Sequence, residues 1–541
     1  MKNFRKINLL TGWFMFLIAT ITYFLTIEPT TSFWDCGEFI TTAYQLEVGH
    51  PPGAPFFMIL GRFFTLFAFG DVSLVPVMIN AMSALASSFT ILFLFWTVTH
   101  IAKRIIANSN EVLTSAQTIA VMGTGAVAAL SYAFSDTFWF SATEGEVYGT
   151  SSLFTAVVFW AILKWENEAD QKYANRWLIL IAYLMGLSIG VHLLNLLVIP
   201  AIVFVYYFKK YEITTGGIIK SALVSIGILA FIMYGIITGY VIVGSQFELL
   251  FTNSFGLPYK TGFITYLILT LGAIVYGVYY TYKKQRPVWN TVFTSLLVII
   301  IGYSSFALIL IRSSADTPMN QNSPDNVFSF ISYLNRDQYG EHPLLHGQYF
   351  NAPVIEYSDG KAVYKQENDR YVVADRRLER EFDSEYTTLF PRMYSDQESP
   401  DHVQGYAMWT GNPQSEFYNP RKNPETGQII TDQYGDIVLD KSSPRRPPNF
   451  FENLQYFFAY QVNHMYIRYF MWNFAGRQND VQSHGGIKDG NWISGIKFLD
   501  EIRLGNQDKL PDYQKENKAR NTYFFLPLIL GIVGLLYMLG A

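Results

Sequence analysis

At 541 residues, half of them hydrophobic, 17% aromatic and only 15% charged, the chain is too apolar for a soluble enzyme, because charged residues make up about a quarter of an ordinary globular domain. A net charge of −4 with no basic stripe offers nucleic acid no footprint, and the single cysteine, Cys36, excludes an internal disulfide. Apolar runs of roughly 20 residues, the length of a bilayer-crossing helix, recur along the chain and predict an all-α polytopic membrane protein.

Lys2, Arg5 and Lys6 precede the first apolar run, about 7–27. Positive residues are retained on the cytoplasmic side, so the N-terminus is expected inside. The run is longer than a signal peptide's core and no small-residue cleavage pattern follows it, so it reads as a retained span. The next full-length run, about 74–99, ends on Lys103 and Arg104 and must return inside, which leaves 28–73 as an outer loop. Within that loop, 54–69 is short and carries Arg62 at its centre, a charge that is costly in hydrocarbon. It is expected to form an interfacial or re-entrant helix. Spans at about 116–134 and 148–163 flank a second outer loop, 135–147. The stretch 177–208 is too long for one crossing and reads as two short helices turning at GVHLLN (190–195). Spans at about 221–243, 262–282 and 288–311 follow, with basic inner loops throughout.

Residues 312–520 are polar and fall outside by the same alternation. Their segments KAVYKQENDRYVVADRR (361–377) and QIITDQYGDIVLD (428–440) alternate around polar turns and predict hairpins. Asn453, Gln455, Asn463, His464 and Arg468 make the aromatic run 450–475 a helix lying on the membrane rather than through it. A final span is expected at about 522–540. Three parts result: a membrane module over 1–311, a periplasmic α+β insertion over 312–520, and a last transmembrane helix over 521–541.

Phe33–Gly61 concentrates Asp35, Cys36, Glu38, Glu47 and His50 in a loop without Lys or Arg. Asp35 and Glu38 have the spacing of a capping box that opens a helix. Equally, Asp35 at the lipid–water boundary suits a general base for a hydroxyl attacking a sugar. His50, in GHPPGAP, is either polar surface on a rigid turn or a hydrogen-bond partner for a sugar hydroxyl or phosphate. Arg62 is either a snorkelling anchor or a cation for a lipid phosphate. In SDTFWFSATEGEVYG (135–149), Asp136, Glu144 and Glu146 lie among Trp139 and Tyr148. As a set they resemble a carbohydrate site, where carboxylates bind hydroxyls and rings pack on sugar faces. His192 falls at the expected turn, as a helix-end residue or one that orients substrate. Arg312, at the outer end of its span, is either an anchor or a cation that stabilises charge growing on a departing phosphate. No Cys/His spacing for zinc and no Gly-rich phosphate loop occurs, so no metal is expected.

FWDCGEFITTAYQLEVGHPPGAP, TEGEVYGTSSLF (143–154), GLSIGVHLLNLLVIPA (186–201), the 312–340 run RSSADTPMNQNSPDNVFSFISYLNRDQYG and YFMWNFAGRQND (469–480) together resemble a known family. It is a bacterial multi-spanning family, common in Bacteroidota and long catalogued only as a domain of unknown function. It is related to the animal endoplasmic-reticulum O-mannosyltransferase of plexin-type receptor domains. The resemblance runs through essentially the whole chain. It implies a GT-C-like glycosyltransferase whose first outer loop holds the catalytic acid, and Asp35 maps there with Glu38 as neighbour. The implied reaction moves a hexose, mannose foremost, from a polyprenyl-phosphate donor to Ser or Thr of exported proteins, with inversion. It would occur at the periplasmic face of a bacterial cytoplasmic membrane. Arg312 and Arg62 would hold the phosphate, while Glu144, Glu146, His50 and His192 orient sugar or acceptor. No cofactor is implied beyond the lipid-linked sugar, and no metal. Relatives continue through further spans, which leaves a short member, one half of a split enzyme and a fragment open. The expected partners are the lipid-linked sugar, the exported acceptor protein, membrane lipid and, for a split enzyme, a second membrane subunit. Three other readings stay open: the same donor with a lipid or polysaccharide acceptor, a transporter, and a scaffold. Against the transporter, the acids gather in outer loops rather than mid-span.

Overall fold

The computed structural model of the chain describes residues 2–107, 112–340, 342–395, 400–433, 435 and 437–540. It is mostly helical, with small two-stranded sheets confined to one insertion. Two compact units are present: Met1–Gln338 with Tyr364–Val372, and Tyr339–Val363 with Val373–Ala541.

The first unit runs α1 (Lys2–Leu25), α2 (Cys36–Gln45), α3 (Pro55–Thr65), α4 (Val75–Ile106), α5 (Ser115–Ala133), α6 (Asp136–Ala142), α7 (Val147–Glu168) and α8 (Arg176–Ile189). It continues through α9 (Ile199–Lys210), α10 (Thr215–Ala230), α11 (Tyr240–Leu249), α12 (Thr261–Lys283), α13 (Pro287–Tyr303), α14 (Ala307–Ser314) and α15 (Val327–Leu334). Among the described residues, 8 helical runs are long and apolar enough to cross a membrane, and the chain is a multi-pass membrane protein. The two short helices expected over 177–208 are present as Arg176–Ile189 and Leu193–Lys210. The span expected at 221–243 extends further, because π-helical turns join α10 and α11 into one run, Thr215–Ser254.

Local chemistry sets the helix starts. Proline occupies the first turn of α3, α4, α9 and α13, where its missing N–H has no helical partner to lose. Thr114 and Gln117 close a reciprocal capping box at α5, with Gln117 N–H donating to Thr114 Oγ1 at 3.2 Å and Thr114 N–H to Gln117 Oε1 at 2.9 Å.

α4 is the central helix, with 67% of its apolar window buried. Lipid tails are as apolar as leucine, so spans associate through close packing at small residues. α8 and α13 show this directly. A Cβ on Gly186 would lie 2.5 Å from the Ile299 carbonyl oxygen, and one on Gly302 would lie 2.4 Å from Leu187 N.

The structure carries 312–338 with the membrane unit, although the polarity of the sequence places a division at 312. The cause is backbone pairing: Val48 N–H donates to Met319 O at 2.9 Å and Gln321 N–H to Val48 O at 3.1 Å.

In the second unit, β1 (His346–Gln348) is antiparallel to β4 (Thr387–Leu389). The hairpin expected at 361–377 is present as β2 (Val354–Glu367) and β3 (Arg370–Phe382). It turns through Asn368 and Asp369, both with left-handed φ (49° and 61°). Of the second expected hairpin, 428–440, the described residues show the antiparallel Thr431–Ile437 bridge and Val438 N–H donating to Ile430 O at 3.0 Å, while β6 (Leu439–Pro444) pairs with β5 (Tyr418–Pro420). The 450–475 segment is helical from Phe450 to Phe474; of its polar residues Asn453, His464 and Arg468 are buried, while Gln455 and Asn463 are exposed. Arg468 is buried and donates to Gly490 O at 2.7 Å, beside a buried His464. The last apolar helix, Leu526–Gly540, is shorter than the expected 522–540, because Asn521–Thr522 form β8, paired with β7 (Gly476–Arg477).

Gly186→Leu is expected to destabilise the α8–α13 crossing by about 1–3 kcal/mol through overpacking. The thermal midpoint of detergent-purified protein should fall. Gly227→Leu, whose added Cβ meets nothing within 4 Å, should leave it unchanged.

Candidate active site

α2 is short, and its last carbonyls have no helical partners. Two arginines supply them. Arg62 of α3 donates to Tyr44 O at 2.7 Å and sits over the Tyr44 ring. Arg312 of α14 donates through Nε to Leu46 O at 2.6 Å and through Nη2 to Gln45 O at 3.2 Å. Two cations therefore lie at the negative end of the helix dipole.

At the other end, the spacing of Asp35 and Glu38 suggested a capping box, and none is formed. Asp35 is exposed and makes no capping bond. It follows Phe33 and Trp34, which are 78% and 81% exposed, aromatics of the kind that settle at a membrane–water interface. Glu38 turns the other way, toward the GHPPGAP turn. Its Oε1 accepts from both His50 N–H and His50 Nδ1 at 2.7 Å, and its Oε2 from Gln321 Nε2 at 3.1 Å. Burial pushes the Glu38 carboxyl up, but the two bonds from His50 outweigh it and leave it below the usual carboxylate value. His50 moves the opposite way. Its bond to Glu38 raises it, burial opposes, and the charges of Glu38 and Asp35 add to the rise while Arg336 works against it.

Glu144 and Glu146 are both buried, with the Cys36 thiol between them, 3.6 Å from Glu144 Oε2 and 3.7 Å from Glu146 Oε1. Burial and the two carboxyls push the thiol well up. Burial likewise raises Glu146 to about 7, with the charges of Glu144 and Asp35 adding and the Val147 N–H opposing. Burial also raises Glu144, against hydrogen bonds from Ser32 and Cys36. A carboxyl poised near neutrality both donates and accepts hydrogen bonds, as acid–base chemistry on hydroxyls requires.

His192 caps the turn after α8, its Nδ1 accepting from Leu194 N–H at 3.2 Å, with its ring 5.4 Å from that of Tyr148. Burial and the charge of Arg336 hold it below its ordinary value. The structure thus gathers Asp35, Glu38, His50, Glu144, Glu146 and His192 into one electrostatic neighbourhood, with Arg62 and Arg312 behind α2. Arg336 and Gln321 also belong here, and sequence reasoning missed both. The signal for Arg336 lay inside the SYLNRDQYG run, but nothing local ties it to His50. Tyr333 makes that tie, donating to Gly49 O at 2.8 Å three residues before it.

The Glu38–His50 pair should give stability a pH optimum. The lowered Glu38 contributes fully above its ordinary 4.5 and loses its contribution as pH falls through its folded value. The raised His50 contributes fully below 6.5 and loses its contribution as pH rises through its folded value. Glu146, raised to about 7 by burial, works the other way and costs stability as pH rises from 4.5 through that value. The pair's own contribution is therefore read as the difference in thermal midpoint between the wild type and His50→Gln, which should be greatest between 4.5 and 6.5 and shrink on either side.

Residues 35–215 match the family described as "Protein O-mannosyl-transferase TMEM260 N-terminal domain". Residues 340–458 match a family of unknown function, DUF8416. Among curated proteins, the chain is 28% identical over 213 residues to "Protein O-mannosyl-transferase tmem260" of Dictyostelium discoideum, covering 37% of this chain and 23% of that protein. It is 26% identical over 224 residues to the Mus musculus TMEM260 protein of the same description, covering 40% and 29%. The matched stretch thus spans less than a third of either relative. No solved structure matches. Through residues 35–215, which hold Asp35, His50, Glu144, Glu146 and His192, this multi-pass chain is related to the animal protein O-mannosyl-transferase.

Proposed function

We propose that the protein is a GT-C-type glycosyltransferase of a bacterial cytoplasmic membrane. It moves a hexose, mannose by analogy with the names of its relatives, from a polyprenyl-phosphate donor to Ser or Thr hydroxyls of exported proteins at the periplasmic face. One observation carries this reading: an exposed carboxylate, Asp35, stands at the head of α2, where its charge is felt by the buried Glu146 and by His50, which Arg336 also faces.

In this reading Asp35 takes the proton of the acceptor hydroxyl as its oxygen bonds to the anomeric carbon. The bond from that carbon to the phosphate oxygen breaks, and the phosphate leaves with the electron pair. Attack opposite the phosphate inverts the anomeric centre. Charge grows on the leaving phosphate, and fixed cations aimed at it lower the barrier. Arg312 and Arg62, held in place by the α2 carbonyls, supply that charge together with Arg336. Glu38 positions His50, and His50 and His192 orient the sugar. Glu146, poised near neutrality, exchanges hydrogen bonds with hydroxyls alongside Glu144.

Asp35→Asn should lower transfer from polyprenyl-phosphate mannose to a Ser/Thr peptide by about 10²–10⁴-fold, the usual worth of a positioned base, while donor binding changes little. Near-normal turnover would refute the assignment. Arg336→Gln should lower kcat more than it raises the KM for donor, because its charge meets the phosphate most strongly as it leaves.

A further inference from the structure

At the opposite end of the same helices, roughly 20–30 Å back along α1 from its end at Leu25, lies a cavity of about 1610 Å³ between α1, α4, α5 and α7. Drug-sized pockets are about 300–1,000 Å³, so it is large enough for a ligand with a tail. Its walls are apolar, including Leu113, Met122, Trp160 and Leu163. Leu9, Val112 and Ile119 also line it and are 48%, 71% and 72% exposed, so it opens onto an apolar surface.

Cations dominate its charged lining, and the buried Asn8 Oδ1, an acceptor without a partner, lines it too. Arg5, Lys103 and Lys164 line it, and among the described residues no carboxylate is within ion-pair distance of them. Glu168, which also lines it, accepts from Arg176 Nη2 at 2.8 Å and Trp177 Nε1 at 2.9 Å. His100 adds a directed donor through a short relay. Arg104 is paired with Glu166 at 2.6 Å and donates to Asn167 Oδ1 at 3.3 Å, so the Asn167 amide N–H faces His100 Nδ1 at 3.4 Å. That bond places the ring proton on Nε2, which is buried with no partner. A buried orphan donor costs free energy that an acceptor on a ligand would recover.

Three cations and an orphan N–H above apolar walls fit an anion carrying a hydrocarbon chain. We propose that this cavity binds an anionic glycerophospholipid, its phosphate among Arg5, Lys103, Lys164 and His100 Nε2, with an acyl chain along Leu113, Ile119 and Met122. Soluble phosphate has no use for such walls, and a zwitterionic lipid leaves the cations half-answered.

The test is native mass spectrometry of the full chain, titrated in detergent with phosphatidylglycerol or phosphatidylcholine. Phosphatidylglycerol should be retained preferentially. Lys103→Gln/Lys164→Gln should weaken its retention about tenfold or more, as two juxtamembrane cations imply. Gly123→Phe should also abolish it without altering charge, since Gly123 lines the cavity and an added Cβ there meets nothing within 4 Å. That variant keeps the proposal testable if the double mutant does not fold. Lys283→Gln/Lys284→Gln, in another basic loop, should have no effect. Equal retention of both lipids, equal loss in the Lys283/Lys284 control, full retention by Gly123→Phe, or stronger retention of polyprenyl phosphate than phosphatidylglycerol would each overturn it.

Discussion

A helix of ten residues beginning at Cys36 leaves its last carbonyls without partners inside the helix. Everything around the candidate site follows from how that end is satisfied. Arg62 reaches it from the next helix in sequence, and Arg312 from 266 residues downstream of Leu46. The second contact draws α14 against the 33–61 loop. The Val48–Asn320 bridge then extends the join, and Tyr333 brings α15 to the His50 turn. A single unmet hydrogen-bonding need thus organises two distant parts of the chain around one carboxylate.

The carboxyls of the site divide by environment. Asp35 is exposed and Glu38 is satisfied by three donors. Glu144 and Glu146 are buried with little beyond a thiol, a hydroxyl and one backbone N–H. Burial penalises the charged form, so the last two are pushed up while Glu38 is held down. Separated proton affinities of this kind let neighbouring carboxyls take different roles at one pH. Cys36 is a packing element here, its thiol kept protonated between two acids rather than made reactive.

The bundle carries contrasting chemistry at its two ends. Acids and aromatics gather after α1, whereas Arg5, Lys103 and Lys164 gather at its start and line an apolar cavity. Small residues bring α8 and α13 into backbone contact. The cavity shows that packing between α1, α4, α5 and α7 is left open where cations ring the space.

The spans were legible in the sequence because a bilayer imposes a length on an apolar helix. The break of 177–208 at Gly190–His192 and the hairpin around Asn368–Asp369 were legible for equally local reasons, in length and turn chemistry. The acid-rich loops were visible as composition. Side-chain direction was not. Asp35 and Glu38 have capping-box spacing, yet Glu38 is claimed by a histidine twelve residues on and Asp35 is left open. The polar residues of 450–475 suggested a surface helix, while His464 and Arg468 face the chain's own 483–490 loop. Apolar length and turn chemistry fix which segments form long helices and where they break, since the first is a sum over many residues and the second is local. Which donor answers which acceptor depends on contacts hundreds of residues apart, and only the folded chain decides those.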